Sequence, residues 1–181
     1  MIIGVFGIPG VGKTTLCNKV SDVLPEVQVY SASQLIKMFD GEISYNKLSR
    51  DKVNSNQIKL ISVTRELKKR VSCSSYILDL HNIIETEFED VYIPKWVFES
   101  LGLDRVIFLY KSPFQILMQR SLDQKERSFK NLEELKKLQL KALDYFREIF
   151  PDEIAKVLFL SSLTIGEATN VLYKEIESYL T

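Results

Sequence analysis

The chain has 181 residues, of which 45% are hydrophobic and 27% charged, the composition of a globular protein with room for one sizeable core. Lysine plus arginine and aspartate plus glutamate each number 24, so no net field draws the protein towards nucleic acid or an anionic membrane. No repeat, low-complexity tract or Pro/Gly/Ser-rich linker breaks it, and a single domain over residues 1–181 is expected.

The first apolar run, Ile2–Phe6, has no basic leader and meets glycine at once, which is wrong for a secretory h-region. No later apolar run has the length of a membrane span, so no membrane partner is expected and the expected location is the cytoplasm. Cys17 and Cys73 are too few and too far apart for a zinc pattern, and inert or buried thiols are expected.

Directly after that first strand, Gly7-Ile8-Pro9-Gly10-Val11-Gly12-Lys13-Thr14 satisfies G-x-x-x-x-G-K-[ST], and a helical pattern runs from 13 to about 24. The residue types are what a triphosphate needs. Glycines let backbone N–H groups turn inward as an anion nest, and the helix N-terminus adds partial positive charge. Gly7, Pro9, Gly10, Val11 and Gly12 are therefore expected to cradle the triphosphate of an NTP, with Lys13 reaching the β/γ-phosphates and Thr15 the α-phosphate. The Thr14 hydroxyl suits Mg²⁺, which takes few protein oxygens and keeps several waters.

Further β-rich runs at 27–30, 75–80, 105–110 and 157–160 alternate with helical patterns, which predicts a parallel sheet with helices on both faces. Along the third helical stretch, Leu60, Val63, Leu67 and Val71 line one face, and Ile58, Ile61 and Arg65 form a stripe that lets Arg65 lean inward. An ordinary surface arginine is the alternative. Asp79 ends the third strand, where ligands collect in open α/β sheets, so its carboxylate can orient Mg²⁺ waters or serve as a turn aspartate. His81 is the single histidine and faces the same crevice, as a hydrogen-bonding group or as local packing. Glu85, Glu87, Glu89 and Asp90 lack periodicity and read as an acidic solvated loop.

Pro94 opens a helix that runs to Leu101, and Ser112-Pro113 caps another over 114–122. Leu132, Leu135, Leu138, Ala142, Phe146 and Ile149 step as a core stripe, and Thr164 with Glu167 reads as a capping box. Asp-x-x-Gly after the third strand and Asn-Lys-x-Asp for guanine are both missing, which argues against a guanine switch.

The chain resembles the nucleoside monophosphate kinases, and among them the archaeal-type adenylate kinases. Residues 7–15, Asp79-Leu80-His81, Ile93-Pro94-Lys95-Trp96-Val97 and Ile116-Leu117-Met118-Gln119-Arg120 carry the resemblance, in order along nearly the whole chain. It implies a three-layer α/β P-loop kinase fold with a five-stranded parallel core, an acceptor-binding helical segment at about 31–72 and a lid at about 120–130. It also implies transfer of the γ-phosphoryl group of Mg·ATP to a nucleoside monophosphate such as AMP, with lid cations at Arg120 and Arg127 stabilising the transferring group. Lids of this kind gather several arginines, whereas here Arg120, Lys125 and Arg127 stand among acids. Ser31, Ser33 and Gln34 would hold the acceptor's sugar or base, His81 would hydrogen-bond acceptor or nucleotide, and Arg65, ahead of Arg50, would hold the acceptor phosphate. The resemblance also implies self-association through Trp96, Val97 and Phe98, which a core helix explains equally. A kinase of another small metabolite, or a regulatory NTP-binding factor with weak ATPase activity, fits the same residues.

Overall fold

A computed structural model describes residues 1–40, 50–70, 75–86, 89–122 and 130–181. Five strands form one parallel sheet: β1 (Ile2–Phe6), β2 (Val27–Ser31), β3 (Ser75–Asp79), β6 (Arg105–Tyr110) and β7 (Ala155–Phe159), in the order β2-β3-β1-β6-β7. Every residue of β1 is buried, and the strand reads as unbroken apolar sequence because a parallel sheet is covered on both faces. Helices α1 (Lys13–Ser21), α2 (Ala32–Asp40), α3 (Arg50–Arg70), α4 (Lys95–Leu101), α5 (Pro113–Leu122), α6 (Leu132–Ile149) and α7 (Ile165–Leu180) supply that cover. Helix α1 packs on α7, α5 on α6, and α3 on both α2 and α4.

The strand order locates the site. From β1 the chain leaves for β2 on one side, and from β3 it crosses to β6 on the other, so the crevice opens between the carboxyl ends of β1 and β3. Register sets Val5 beside Asp79 and Asp79 beside Ser31. The loop after β1 and the last residue of β3 therefore meet.

Beneath that crevice, Phe6 of β1 sits 5.3 Å from Phe98 and 5.5 Å from Phe146, ring to ring, tying the central strand to α4 and α6. On α6 the predicted stripe is buried from Leu135 to Ile149, while Leu132, in the first turn, is 41% exposed. Asn131 caps this helix: its side chain accepts from the Glu134 N–H, and Glu134 accepts from the Asn131 N–H. Replacing Asn131 by alanine orphans that donor. It is expected to cost about 1 kcal/mol, read as a lowered urea midpoint at unchanged slope.

The acidic stretch corrects an expectation. Glu85 and Asp90 lie not in a solvated loop but on β4 (Ile83–Glu85) and β5 (Asp90–Tyr92), which form an antiparallel hairpin with the two directly opposite, while Glu89 is exposed outside the strands as expected and Glu87 lies outside the described residues. Like charges in that register repel, and cations from α5 and α6 offset them. Among the described residues, no helix is long and apolar enough to cross a membrane.

Candidate active site

Gly12 takes φ 97° at the N-cap of α1, a conformation open to glycine and strained for other residues. The first turn of α1 carries no acidic residue, so its partial positive charge is left for an anion. Lys13 is 5% exposed and donates from Nζ to the Gly7 carbonyl at 2.8 Å. Thr14 is exposed towards the crevice, and its hydroxyl donates to Asp79 Oδ2 at 2.5 Å. The other carboxylate oxygen, Oδ1, is buried without a hydrogen-bond partner among the described residues and lies 3.7 Å from Lys13 Nζ. His81 Nδ1 stands 3.1 Å from the Gly7 carbonyl oxygen and 3.4 Å from Lys13 Nζ.

Four groups from the first loop and the end of β3 thus share one crevice. Asp79 is not serving as a helix cap; it faces the cation and hydroxyl of the P-loop. A hydroxyl and a carboxylate with an unbonded, buried oxygen are hard donors of the kind Mg²⁺ prefers, so Thr14 and Asp79 fit that ion. Beneath them Cys17 is fully buried; burial pushes its thiol pKa far above the usual value, with the Asp79 carboxylate adding to the shift. This matches the inert thiol expected there, whereas Cys73 lies outside the described residues.

Arg120 reaches the loop from α5. Its Nε and Nη2 donate to the Pro9 carbonyl at 3.0 and 2.8 Å, and its outer edge pairs with Glu85 of the hairpin. Sequence reasoning missed Glu85, whose side chain is only 10% exposed. The available signal was the apolar pattern around it, Ile83 and Ile84 before and Val91 and Ile93 after, which marks two short strands. Arg127 and Lys125 lie outside the described residues, as does most of the lid segment.

On the acceptor side, Ser31 accepts from the Gln34 N–H at 3.1 Å while Gln34 accepts from the Ser31 N–H at 2.9 Å, a reciprocal cap on α2. Ser33 Oγ lies 3.0 Å from Ser31 Oγ, so both hydroxyls sit at the carboxyl end of the sheet. Arg65 corrects another expectation. It is exposed, and the buried face of α3 is instead Val53, Gln57, Leu60, Ile61 and Thr64. Lys68, one turn on, donates to the Gly102 carbonyl just before β6 begins, which puts Arg65 towards the amino end of the sheet, away from the P-loop. Arg50 starts α3 at the opposite end, with Nε 3.3 Å from Glu89 Oε1.

Known proteins share this fold. The family model for the AAA domain matches residues 6–136, well over half the chain. An adenylate kinase from Methanoculleus marisnigri is 26% identical over 130 residues, covering 64% of this chain and 65% of its own length. Among solved structures, shikimate kinase from Bacteroides thetaiotaomicron superposes with a TM-score of 0.65 at 16% identity, covering 98% of each chain. Thymidylate kinase from Candida albicans gives a TM-score of 0.62 at 18% identity, over 98% of this chain and 91% of that one. With the P-loop, the buried lysine and the carboxylate of β3 assembled on a five-stranded parallel sheet, the chain belongs to the AAA domain family and is built as a P-loop kinase.

Proposed function

We propose that the protein moves the γ-phosphoryl group of Mg·ATP to a nucleoside monophosphate, AMP first among them. The observation that carries this reading is the convergence of Lys13, Thr14 and Asp79 in one crevice. The similarity to adenylate kinases supports the acceptor class.

In this mechanism the P-loop N–H groups and Lys13 hold the triphosphate, and Thr14 and Asp79 hold the metal. Mg²⁺ bound there would offset negative charge on the transferring phosphoryl group. Lys13 releases the Gly7 carbonyl as phosphate oxygens arrive, and His81 beside it supplies a hydrogen-bonding partner. Arg120 braces the loop at the Pro9 carbonyl, its charge paired with Glu85, and Arg127 is assigned to the transferring group from the lid segment at about 120–130. Arg50 is assigned to the acceptor phosphate, with Ser31 and Ser33 near its sugar or base, in an acceptor segment at about 31–72. An acceptor phosphate is a competent nucleophile at neutral pH, so positioning and charge neutralisation do the catalysis without a strong base. The reading makes this a cytoplasmic enzyme, and Trp96, half exposed at 50%, is available for self-association.

A second reading, phosphorylation of another small acceptor, is favoured by the state of Arg50, which is exposed and already paired with Glu89. One assay separates them: coupled ADP production from Mg·ATP across a panel of nucleoside monophosphates and phosphate-free acceptors, with Lys13→Met as the blank. Turnover that depends on AMP or another monophosphate supports the proposal. Turnover with a phosphate-free acceptor moves the assignment to the second reading, and slow hydrolysis indifferent to acceptor moves it to a regulatory ATPase.

A further inference from the structure

The hairpin of β4 and β5 reaches the phosphate cradle through one side chain. Arg120 is spread flat between two partners: its Nε–Nη2 edge donates to the Pro9 carbonyl, and its Nη2–Nη1 edge donates to both Glu85 oxygens at 2.5 and 3.2 Å. Four of the five guanidinium N–H groups are thereby used, and the two side chains are only 8% and 10% exposed. Bidentate, charge-assisted bonds in a site this dry fix orientation as well as contributing energy. Behind Glu85, Lys130 stands 3.9 Å from its Oε2 and 3.4 Å from Asp90 Oδ1 on the facing strand, so the carboxylate is itself held from the far side.

The hold on Pro9 has a consequence one atom further along the chain. In a trans peptide the C=O and the following N–H point in opposite directions. With the Pro9 oxygen pulled towards Arg120, the Gly10 N–H is turned to the other side of the loop, and Gly10 accommodates this at φ +90°. A side chain there would place its Cβ 2.8 Å from Arg120 Cγ, so the position has room for arginine or for a Cβ but not both. Gly10 lies in the middle of the Gly7–Lys13 loop, whose N–H groups form the nest that receives phosphate oxygens.

We propose that Glu85 is a positioning residue for the nucleotide: through Arg120 it fixes the Pro9–Gly10 peptide so that the Gly10 N–H stays directed at a phosphate oxygen. Glu85 touches no substrate and acts on binding before any acceptor arrives. The proposal rests on the P-loop reading of the cradle and not on the identity of the acceptor, so its test measures binding.

Isothermal titration with Mg·ATP and with a non-hydrolysable ATP analogue is run on the wild-type chain, Glu85→Gln, Arg120→Lys and the double variant, with thermal melts alongside. Glutamine keeps the size of Glu85 but loses the charge and the two-oxygen grip, and lysine cannot bridge carboxylate and carbonyl as a planar fork does. Each single variant is expected to bind about tenfold more weakly, the scale of one lost charge-assisted contact. The melting temperature should stay within a few degrees, and the double variant should be no weaker than the worse single one. Unchanged affinity in Glu85→Gln, or losses that multiply in the double variant, overturns the proposal. If Glu85→Gln unfolds, Glu85→Asp, which keeps the charge and retracts the oxygens, is expected to show a smaller but measurable loss; wild-type affinity there overturns it equally. A wild-type chain that takes up no Mg·ATP overturns this proposal and the P-loop reading together, whereas wild-type binding with indifferent variants overturns this one alone.

Discussion

Lys13→Met is expected to lower the turnover of Mg·ATP at least about a hundredfold, the scale of removing one preorganised charge from a phosphoryl-transfer site. The lysine is 5% exposed, and its ammonium is already placed by Gly7, Asp79 and His81, so its charge is fixed before substrate arrives. Little reorganisation remains when phosphates replace the Gly7 carbonyl. Methionine fills similar volume without donors, so the buried position stays filled. The same change strips Asp79, 6% exposed, of its cationic neighbour, and a single-sided buried charge destabilises the fold. A melt must therefore accompany the kinetics: lost turnover in a chain still folded at the assay temperature is the expected result. Activity within tenfold of wild type would remove Lys13 from the mechanism. Arginine should not restore function, because a planar fork does not fit the slot of a linear ammonium.

The features of this site that were legible in the sequence are the local ones. The P-loop reads directly because its glycines, lysine and threonine act through the backbone between them, and it stands between a strand and a helix as its mechanism requires. The caps at Ser112 and Thr164 read for the same reason, each being a contact over three residues. Asp79 read from its place at a strand end. The Glu85–Arg120 pair did not, since its partners are 35 residues apart and nothing in a charge pattern tells which carboxylate finds which guanidinium. The hairpin that carries Glu85 has strands of three residues each, too short for a period of two to emerge from a run of acids. Arg65 failed differently. Helix α3 presents two overlapping apolar stripes, and tertiary packing buried the one containing Gln57 and Thr64 while leaving Ile58 60% exposed. Thr64 is tolerated inside because its hydroxyl bonds back to the Leu60 carbonyl at 2.8 Å, a compensation that a hydropathy pattern does not register.

The carboxylate is the counterpart of the lysine, and its removal is expected to separate metal from nucleotide. Asparagine at position 79 is nearly isosteric and can still accept from the Thr14 hydroxyl, so the crevice keeps its shape. What goes is the negative charge, and with it the buried oxygen that suits Mg²⁺. Turnover is expected to fall about a hundredfold at ordinary magnesium, in line with the loss of a fixed electrostatic contribution to transfer. Binding should move the other way: without metal, ATP meets one negative charge fewer beside Lys13, and its affinity should hold or rise. A merely structural aspartate predicts something else, a parallel loss of nucleotide affinity with and without magnesium as the loop loosens. Titrations of Asp79→Asn with ATP in EDTA and in magnesium, beside a kinetic series in which magnesium is raised, separate the two. Partial recovery of turnover at high magnesium, with metal-free affinity intact, places Asp79 at the metal. Loss of metal-free affinity would instead make it a strut between β3 and α1, and the assignment of the ion to Thr14 and Asp79 would fall with it.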